Sequence, residues 1–436
     1  MKAVAFYTLG CKVNQYETAA LASLFARRGY RVVEDFETVA DVYVVNTCTV
    51  TKTADQKSRQ AIRRAIRRNP DAVVVVTGCY AQLNAETVAK IPGVGVVVGV
   101  WGREKIVDLV EEAMSAGRQV VAVQDFPARC DFEELPTLFT ARTRAYLKIQ
   151  EGCGDFCTYC LVPYARGPSR SRKPEAVLRE ARRLLDAGFK ELVLTGIHLG
   201  HYGLDLQPPV SLVELIARLL ELPGLGRLRL SSLEPKEVTP ALVELLATKP
   251  RFCPHLHLPL QSGDDTVLRR MGRRYTTAEY QALVHFLRER VPDIALTTDV
   301  MVGFPGETEE AFARTVSFIR EMAFSGLHVF KFSPRPGTPA AGFPEQVPGP
   351  EKERRLKILL AVGNELAHRF AVRFTGRVVR VLVEGRNPEG LWEGLSEYYL
   401  PVVFVAEGDW AGGIVPVEVA RVEGQVLHAT PLFSAL

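Results

Sequence analysis

Residues 145–160 read AYLKIQEGCGDFCTYC, and this stretch decides the class of the protein. Its apolar first part is typical of a β-strand, and Cys153, Cys157 and Cys160 follow with the spacing C-x3-C-x2-C. Three thiolates can bind three irons of a cubane 4Fe-4S cluster and leave the fourth iron open to a small molecule. A structural zinc ion takes four ligands, and a disulfide framework takes an even number of cysteines in an oxidising compartment. The spacing therefore favours an open-site cluster over zinc or inert thiols.

This cysteine motif resembles the signature of the radical S-adenosylmethionine (SAM) enzymes. The resemblance implies that the open iron binds the amino and carboxylate groups of the methionine part of SAM. It also implies that Tyr159 packs near the adenine, and that an electron from the cluster cleaves SAM to a 5′-deoxyadenosyl radical. Cys153, Cys157 and Cys160 are then the catalytic residues as well as the cluster ligands.

Further apolar runs alternate with helical segments beyond the motif. With the first run they make six predicted strands, over residues 145–150, 191–195, 227–231, 255–260, 294–302 and 327–332. Repeated βα units predict a parallel barrel whose chemistry lies at the carboxyl ends of its strands. Six units instead of eight predict a partial (β/α)6 TIM-like barrel, with the cysteine loop after its first strand.

Small and polar residues follow the later strands of this predicted barrel, at positions suited to hydrogen-bonding a cofactor. We predict that the following residues bind SAM: Thr195, Gly196, Ser231, Ser232, Asp299 and Gly303. Residues 299–307 resemble the glycine-rich strand where radical SAM enzymes approach the adenine. Glycine lets a ligand come close because no Cβ intervenes, although each glycine alone fits a turn equally well.

Three more cysteines share a local pattern near the amino terminus. Cys11, Cys48 and Cys79 each follow a short β-branched run, and these runs alternate with helical segments. Such runs predict a parallel sheet buried on both faces, and ligands bind at the carboxyl edge of such a sheet. We therefore expect the three thiols to converge and to bind a second 4Fe-4S cluster, the auxiliary cluster. Buried thiols that act as small hydrophobic residues are the alternative.

Two cysteine triads in this order resemble the methylthiotransferase family. The segments TLGCKVN (8–14), NTCTVT (46–51) and VTGCYAQ (76–82) resemble its MtaB-type branch. That branch methylthiolates N6-threonylcarbamoyladenosine at tRNA position 37, next to the anticodon. The resemblance implies that one SAM methylates a sulfur held at the auxiliary cluster and that a second SAM supplies the radical that removes hydrogen from C2 of the adenine. An aromatic C–H has no acidic proton, so a side-chain base could not start this reaction.

A basic helix is predicted over residues 53–69. Its arginines recur at helical spacing and form a stripe: Arg59, Arg63, Arg64, Arg67 and Arg68. Like charges at this spacing repel one another, so a polyanionic partner would relieve the cost. We predict that the stripe contacts tRNA, and a solvated basic face is the alternative.

Two other polar segments keep several interpretations. Residues 166–172 are too rich in Gly and Pro for a helix, and their arginines either bind the SAM carboxylate or tRNA phosphate or form a solvated loop. Cys253, His255 and His257 would share one strand face. Packing or substrate lining inside the barrel is favoured there over a metal site. Cys130 stands alone and is assigned no role.

The carboxy-terminal part has a different composition. After a helical segment from residue 350 to about 374, β-branched strands split by glycine turns predict a small antiparallel barrel. It resembles the TRAM domain, an RNA-binding module, in which Tyr398 and Tyr399 would stack on bases or pack in the core. The predicted α/β multidomain chain divides into 1–125 for the auxiliary cluster, 126–143 as a linker, 144–371 for SAM, and 372–436 as TRAM-like.

The composition sets the broad class. The chain has 436 residues, 47% of them hydrophobic, and a formal net charge of +4, so it can bury several cores and is no polycation as a whole. Eight cysteines without a leader peptide predict a reducing cytoplasm. No apolar run approaches the ~18 residues that a membrane span requires, so we expect no membrane partner.

The predicted function is tRNA modification, with two 4Fe-4S clusters and SAM as cofactors. The expected partners are the tRNA anticodon stem-loop, a reducing electron donor such as flavodoxin or ferredoxin, and a sulfur source. Three alternatives stay open at this point. They are the isopentenyladenosine-modifying sister branch, a ribosomal-protein aspartate methylthiotransferase, and a tRNA-binding iron–sulfur redox sensor without catalysis.

Overall fold

The chain forms two compact units in the computed structural model, which describes residues 1–127, 130–136 and 143–432. The first unit comprises Met1–Thr140, Lys148–Arg172 and Ser333–Ala341. The second comprises Ala141–Leu147, Lys173–Phe332 and Gly342–Leu436. The predicted linker 126–143 and the end of the predicted domain 372–436 lie partly outside the described residues. The bounds of the four predicted segments stay a prediction.

A six-stranded parallel sheet forms the centre of the first unit. Its strands are β1 (Ala3–Thr8), β2 (Arg31–Val33), β3 (Val42–Thr47), β4 (Val73–Gly78), β5 (Val94–Val98) and β6 (Val120–Ala122), in the order β2-β1-β3-β4-β5-β6. The connecting helices are α1 (Lys12–Arg27), α2 (Lys52–Arg68), α3 (Cys79–Leu83), α4 (Ala85–Ala89) and α5 (Ile106–Ala116). The β-branched central strands are buried along most of their length because helices cover both faces. The predicted parallel α/β domain is confirmed.

Helix α2 illustrates how the local sequence sets the packing. The Thr51 side chain accepts a hydrogen bond from the Ala54 amide at 3.1 Å and caps the first turn. Ala61, Ile62 and Ala65 recur at helical spacing and are buried against the sheet. Arg63, Arg64, Arg67 and Arg68 lie on the exposed face of the helix, and Arg59 is partly exposed.

The next segment carries the cysteine motif. It contains β7 (Arg144–Lys148), β8 (Gln150–Glu151), α6 (Val162–Arg166) and β9 (Arg170–Ser171), and β8 pairs with β9 in antiparallel fashion. Gly152 has φ +76°, and a Cβ there would lie 1.9 Å from the Pro168 carbonyl oxygen. Only glycine fits this crossing, which closes the cysteine loop. Residues 148–172 belong to the first unit, a placement that strand periodicity did not predict.

The second unit contains the remaining strands of the predicted barrel: β10 (Glu191–Thr195), β11 (Arg227–Leu230), β12 (His255–His257), β13 (Ala295–Val302) and β14 (Gly326–Lys331). They form two three-stranded sheets, β11-β10-β7 and β12-β13-β14, which single parallel bridges such as Ser232 to His257 connect. The helices between them are α7 (Pro174–Asp186), α8 (Leu212–Leu220), α9 (Pro240–Thr248), α10 (Asp265–Met271), α11 (Thr277–Arg290) and α12 (Glu309–Met322). The expectation of a partial barrel is confirmed.

A closed five-stranded barrel follows the long helix α13 (Gly349–Val372). Its strands are β15 (Val378–Arg386), β16 (Trp392–Ser396), β17 (Pro401–Phe404), β18 (Ile414–Glu423) and β19 (Val426–Pro431), in the order β15-β16-β17-β19-β18. The predicted TRAM-like barrel is confirmed, although β17 and β19 pair in parallel while the other strand pairs are antiparallel. Among the described helices, none combines the length and the apolar character needed to cross a bilayer.

The two tyrosines at the β16–β17 turn pack inside the second unit. Tyr399 has φ +65°, its ring stacks on His255 with centroids 4.8 Å apart, and the Arg229 guanidinium lies 4.9 Å from its centroid. Tyr398 packs against Phe374 at 4.5 Å. Both tyrosines are partly exposed, so their stacking on bases stays a prediction beside these packing contacts.

Candidate functional site

The first cysteine triad lies at three neighbouring strand ends. Cys48 and Cys79 directly follow β3 and β4, and Cys11 is the cap residue of α1, just after β1. Strands β1, β3 and β4 are adjacent in the sheet, so their carboxyl ends meet. The turn that carries Cys11 lies close to Cys48. A Cβ added to Gly10 would be only 3.1 Å from the Cys48 sulfur. The structure therefore brings the three residues together, while their role as ligands stays a prediction.

The thiols of this triad differ in exposure. Cys11 is exposed, whereas Cys48 and Cys79 are buried. Burial raises the pKa of the Cys48 thiol, and it raises the pKa of Cys79 to about 12, although the Arg166 guanidinium acts in the opposite direction. Cys48 and Cys11 also act unfavourably on a Cys79 thiolate. A bound metal would stabilise the thiolate forms that burial disfavours.

The second triad lies in the loop between β8 and α6. Cys153, Cys157 and Cys160 are partly exposed. The Cys153 amide donates to the Gly167 carbonyl at 3.1 Å, and the Cys160 amide donates to the Cys157 carbonyl at 2.9 Å. The Val162 amide donates to the Cys160 sulfur at 3.4 Å. The backbone thus fixes the loop at both ends and aims one N–H group at a sulfur.

Neighbouring residues of the same loop are also held in place. The Ala340 amide donates to the Thr158 carbonyl at 2.9 Å, which anchors the loop to the segment Ser333–Ala341 of the first unit. Tyr159, the predicted adenine neighbour, is partly exposed. Phe156 has φ +46°, an uncommon value for a residue with a side chain, and is exposed. Its ring meets Tyr164 edge-to-face at 5.5 Å.

A buried cluster of charges, the Glu17 network, lies in the first unit. Its members are Glu17, Arg103, Lys148, Glu151 and Arg166, each at most 3% exposed. Glu17 binds Arg103 at 2.8 Å, Lys148 at 2.9 Å and Arg166 at 2.5 Å. Burial would raise the pKa of Glu17, but these three cations outweigh burial and hold it well below its ordinary value. The network is therefore an ionised cluster in a dry interior.

The Glu17 network touches the first triad through one side chain. The Arg166 Nε donates to the Cys79 sulfur at 3.1 Å. Arg170 donates to the Arg166 and Pro168 carbonyls, and Arg172 binds the Glu134 carboxylate at 2.6 Å. All three arginines are buried, so the interpretation of residues 166–172 as a solvated loop is wrong. The sequence did not predict that Arg166 contacts a cysteine, because the contact joins segments 87 residues apart.

A second arginine that sequence reasoning missed lies near Cys48. Arg335 donates to the Thr49 hydroxyl at 2.8 Å and to the Asp55 carboxylate at 2.5 Å, and it is buried. Thr49 follows Cys48 directly, and its hydroxyl donates to Asp55 at 2.7 Å. Arg335 therefore ties the segment after β14 to the turn that carries Cys48. Its SPRPGT context (residues 333–338) would have been the only sequence signal.

The residues predicted to bind SAM at the ends of β10 and β11 lie in the second unit. Thr195 is buried and donates to the Val193 carbonyl at 3.1 Å, and Gly196 is partly exposed. Ser232 is exposed. The Ser231 hydroxyl is buried and has no hydrogen-bond partner among the described residues. A buried, unpaired hydroxyl at a strand end fits the binding of a polar cofactor group.

Asp299 lies on β13 between two histidines. The Asp299 carboxylate lies 3.3 Å from His257 Nε2 and 3.2 Å from His328 Nδ1. Burial would raise the pKa of Asp299, but hydrogen bonds from His257 and His328 outweigh burial and lower it strongly. The nearest partners of Asp299 are therefore side chains of the neighbouring strands. Its contact with SAM stays a prediction.

Gly303 forms the turn after β13. It has φ +71°, and its amide donates to the Glu307 carboxylate at 2.6 Å. A Cβ at this position would lie 2.3 Å from the Lys352 side chain. Glycine is therefore needed for this packing, and its predicted role in SAM binding stays a prediction.

The predicted RNA-binding arginines divide into two groups. Arg59 donates to the Tyr80 hydroxyl at 3.1 Å, and Arg64 forms an ion pair with Glu37. Arg63, Arg67 and Arg68 are exposed and form no ion pair within the part of the chain that the structure describes. The exposed group keeps three positive charges available on one face of α2.

Three parts of the chain match known families. Residues 3–99 match uncharacterized protein family UPF0004, residues 147–319 match the radical SAM superfamily, and residues 372–432 match the TRAM domain. Among solved structures, the radical SAM methyltransferase TsrM from Kitasatospora setae shares the fold with a TM-score of 0.57. Its identity to this chain is 19%, over 78% of this chain and 77% of TsrM. Fold and cysteine loop together define a radical SAM enzyme with a carboxy-terminal TRAM domain.

Curated relatives match along nearly the whole chain. The threonylcarbamoyladenosine tRNA methylthiotransferase MtaB of Bacillus subtilis is 46% identical, over 97% of this chain and 94% of its own length. The tRNA-2-methylthio-N(6)-dimethylallyladenosine synthase of Clostridium tetani is 34% identical, over 95% and 93%. The chain belongs to the radical SAM methylthiotransferase family, in its MtaB-type branch.

Proposed function

We propose that this protein transfers a methylthio group to C2 of N6-threonylcarbamoyladenosine at position 37 of tRNA. The observation that carries the proposal is the presence of both cysteine triads in one compact unit of a chain from the MtaB-type branch. The dimethylallyladenosine synthase of Clostridium tetani is less similar, at 34% against 46% identity for the Bacillus subtilis MtaB.

The donor sets fit two clusters that each leave one iron open. Cys153, Cys157 and Cys160 would hold the cluster that binds SAM, and the Cys11 triad would hold the auxiliary cluster. When bound, the first cluster and SAM would supply the 5′-deoxyadenosyl radical, and the auxiliary cluster would supply the sulfur. The Val162 amide would support the Cys160 thiolate, and the free Ser231 hydroxyl would bind a polar group of SAM.

The chain's own surfaces would bind the RNA. Arg63, Arg67 and Arg68 are exposed on α2, where they can neutralise phosphates. The TRAM domain, residues 372–432, is the second RNA-binding candidate. A target base must leave its stack to reach a catalytic centre. The basic stripe favours an RNA substrate over a ribosomal protein.

The remaining partners follow from the chemistry. A reducing electron donor such as flavodoxin or ferredoxin would supply the electron for SAM cleavage, and a separate sulfur source would restore the transferred sulfur. The eight cysteines form no disulfide among the described residues, which is compatible with the reducing cytoplasm that we propose as its location.

The proposal is tested by mass spectrometry of tRNA nucleosides from a strain that lacks the gene, with and without the cloned gene. We expect 2-methylthio-N6-threonylcarbamoyladenosine only when the gene is present. Purified protein reconstituted without oxygen should bind about eight irons per chain. A strain whose modified nucleoside is a dimethylallyl derivative, or whose tRNA is unchanged, would refute the proposal.

The two triads are separated by replacement with alanine. Loss of Cys153, Cys157 and Cys160 should halve the iron and abolish reductive cleavage of SAM. Loss of Cys11, Cys48 and Cys79 should also halve the iron, but 5′-deoxyadenosine should still form while methylthiolation stops. Cys130→Ala is the matched control, since this cysteine belongs to neither triad, and its iron content should equal that of the wild type.

A further inference from the structure

Arg166 occupies an unusual position between the two cysteine triads. It ends helix α6, which follows the Cys153–Cys160 loop, and its side chain is 0% exposed. The Nε atom donates to the Cys79 sulfur at 3.1 Å. The other two nitrogens donate to Glu17 at 2.5 Å, to Glu151 at 2.9 Å and to Asn14 at 2.5 Å. Every edge of the guanidinium is therefore used, and one edge is used by a sulfur.

The surrounding groups hold this guanidinium rigidly. Glu17 accepts from two of its nitrogens, through Oε1 at 2.5 Å and Oε2 at 3.1 Å. Glu17 is itself fixed by Arg103 and Lys148. A forked arginine–carboxylate pair defines the direction of the remaining N–H group, because the guanidinium is planar. That remaining group points at Cys79.

We propose that Arg166 is a positioning residue for the auxiliary cluster and raises its reduction potential. The inference rests on the proposed function, which assigns a 4Fe-4S cluster to Cys11, Cys48 and Cys79. Reduction adds negative charge to the cluster and its sulfur ligands. A buried cation and an N–H donor at the Cys79 sulfur stabilise the reduced form more than the oxidised form.

The same short segment also supports the other triad. The Gly167 carbonyl accepts a hydrogen bond from the Cys153 amide at 3.1 Å, while the Arg166 side chain binds Cys79. Gly167 has φ +68°, and a Cβ there would lie 2.5 Å from the Phe126 ring. Two adjacent residues thus connect the ligand loops of both clusters. A substitution of Arg166 would therefore change the surroundings of the auxiliary cluster, although this residue follows the loop that carries the other triad.

The test is a redox titration, followed by electron paramagnetic resonance, of protein in which Cys153, Cys157 and Cys160 are alanine. This background carries only the auxiliary cluster, so its potential is read without interference. Arg166→Gln removes the charge, and we expect reduction to become at least tenfold less favourable, a shift of about 59 mV to lower potential for one electron. Arg166→Lys keeps the charge without the fork and should shift the potential in the same direction by less.

Two further variants separate the causes. Arg172→Gln removes a buried arginine of the same segment that binds Glu134, and it should leave the potential unchanged. The double variant Glu17→Gln/Arg166→Gln removes one charge of each sign, so a shift of the potential that remains in it does not come from a change in net charge. If Arg166→Gln fails to fold, Arg166→Lys decides the question.

The outcomes distinguish the inference from the proposed function. A loaded cluster whose potential is the same in the Arg166 variants and in the parent overturns the role of Arg166 and leaves the function intact. A background protein that binds no cluster at all overturns the auxiliary cluster, and the inference with it. A shift of equal size in Arg172→Gln would reduce the effect to general charge and overturn the specific role.

Discussion

Two buried networks of arginine and glutamate, one in each unit, use the same residue types for different ends. In the second unit, Glu191 binds Arg227 and Arg229, and we call this set the Glu191 network. The remaining guanidinium nitrogens donate to backbone carbonyls of the TRAM-like barrel, those of Arg380, Leu395, Ser396 and Glu397. In the Glu17 network, by contrast, the Nε atom of Arg166 donates to the sulfur of Cys79.

The difference lies in what the arginine is aimed at. The Glu191 network is complete by itself, because carboxylate and carbonyl oxygens accept all the N–H groups that it directs. It joins the partial barrel to β15 and β16 within the second unit. The Glu17 network directs one N–H group to Cys79, a weak acceptor as a thiol and a strong one as a thiolate. The first network therefore joins two parts of the second unit, whereas the second directs a cation to a cysteine that we propose as a cluster ligand.

Removal of the central carboxylate of the Glu17 network should have the largest effect. Glu17→Gln leaves Arg103, Lys148 and Arg166 buried with too little negative charge, and we expect a loss of about 3–5 kcal/mol of local stability. Native-state hydrogen exchange of the β3 amides measures this loss. Glu112→Gln, which breaks an exposed pair with Arg118, is the control and should change nothing measurable. Unchanged exchange in Glu17→Gln would show that the network is dispensable.

The Glu191 network should respond to pH. Burial would raise the pKa of Glu191, but Arg229 and Arg227 outweigh it and lower this pKa from 4.5 to about 2. A lowered pKa contributes stability above pH 4.5 that is lost as the pH falls towards 2, and the shift corresponds to about 3 kcal/mol. At pH 7, the β11 and β16 amides should therefore be less protected from hydrogen exchange in Glu191→Gln than in the wild type.

The difference between wild type and Glu191→Gln should shrink below pH 4.5. Glu423→Gln, at an exposed pair with Arg421 in the same unit, serves as the control and should follow the wild type at every pH. A difference that stays constant from pH 7 to pH 3 would mean that the ionisation of Glu191 does not stabilise the contact with the TRAM-like barrel.

Exposed arginines should show the smallest effect on stability and a clear effect on binding. Arg63→Gln/Arg67→Gln removes two exposed charges from α2, so the fold should be unchanged. If both contact tRNA phosphates, the slope of log affinity against log salt should fall by about one to two units, since each contact contributes roughly 0.7–0.9. Filter-binding measurements over a salt series determine the slope.

The matched control is Arg28→Gln, an exposed arginine of the same unit that is paired with Asp108 and Glu111. It should leave the salt slope unchanged. Equal slopes for the α2 variant and the wild type would return the stripe to a solvated basic face and leave the TRAM domain as the main RNA-binding candidate. Cleavage of SAM without tRNA should be the same in all three proteins.

Much of the fold was accessible from local sequence. The β-branched runs that precede Cys11, Cys48 and Cys79 predicted parallel strands, and their position at strand ends follows from the alternation of strand and helix. The six barrel strands were predicted within a few residues, because each carries closely spaced apolar residues between two helical segments. The short strands β8 and β9 were missed, since a crossing at Gly152 and not a periodic pattern defines them.

The site was accessible only in part. Ligands that are close in sequence can be predicted from their spacing, as in the C-x3-C-x2-C motif. Contacts between distant segments cannot be predicted in this way. No periodicity relates Arg166 to Glu17, 149 residues away, or Arg335 to Thr49, 286 residues away. The engagement of Arg64 by Glu37 was equally invisible in the helical stripe.

Local sequence alone was sufficient for the two cysteine triads and the order of sheet, barrel and small β domain, because short-range spacing and periodicity encode them. The class of enzyme came from the resemblance of the cysteine motifs to those of a known family. The folded chain was needed to show that the Cys153 loop belongs to the first unit, that Arg166 donates to Cys79, and that Tyr399 packs on His255. These features depend on contacts between distant segments. Burial then determines the partners of these side chains. A charge in a dry interior must be paired, and each of its N–H groups must donate to an acceptor nearby.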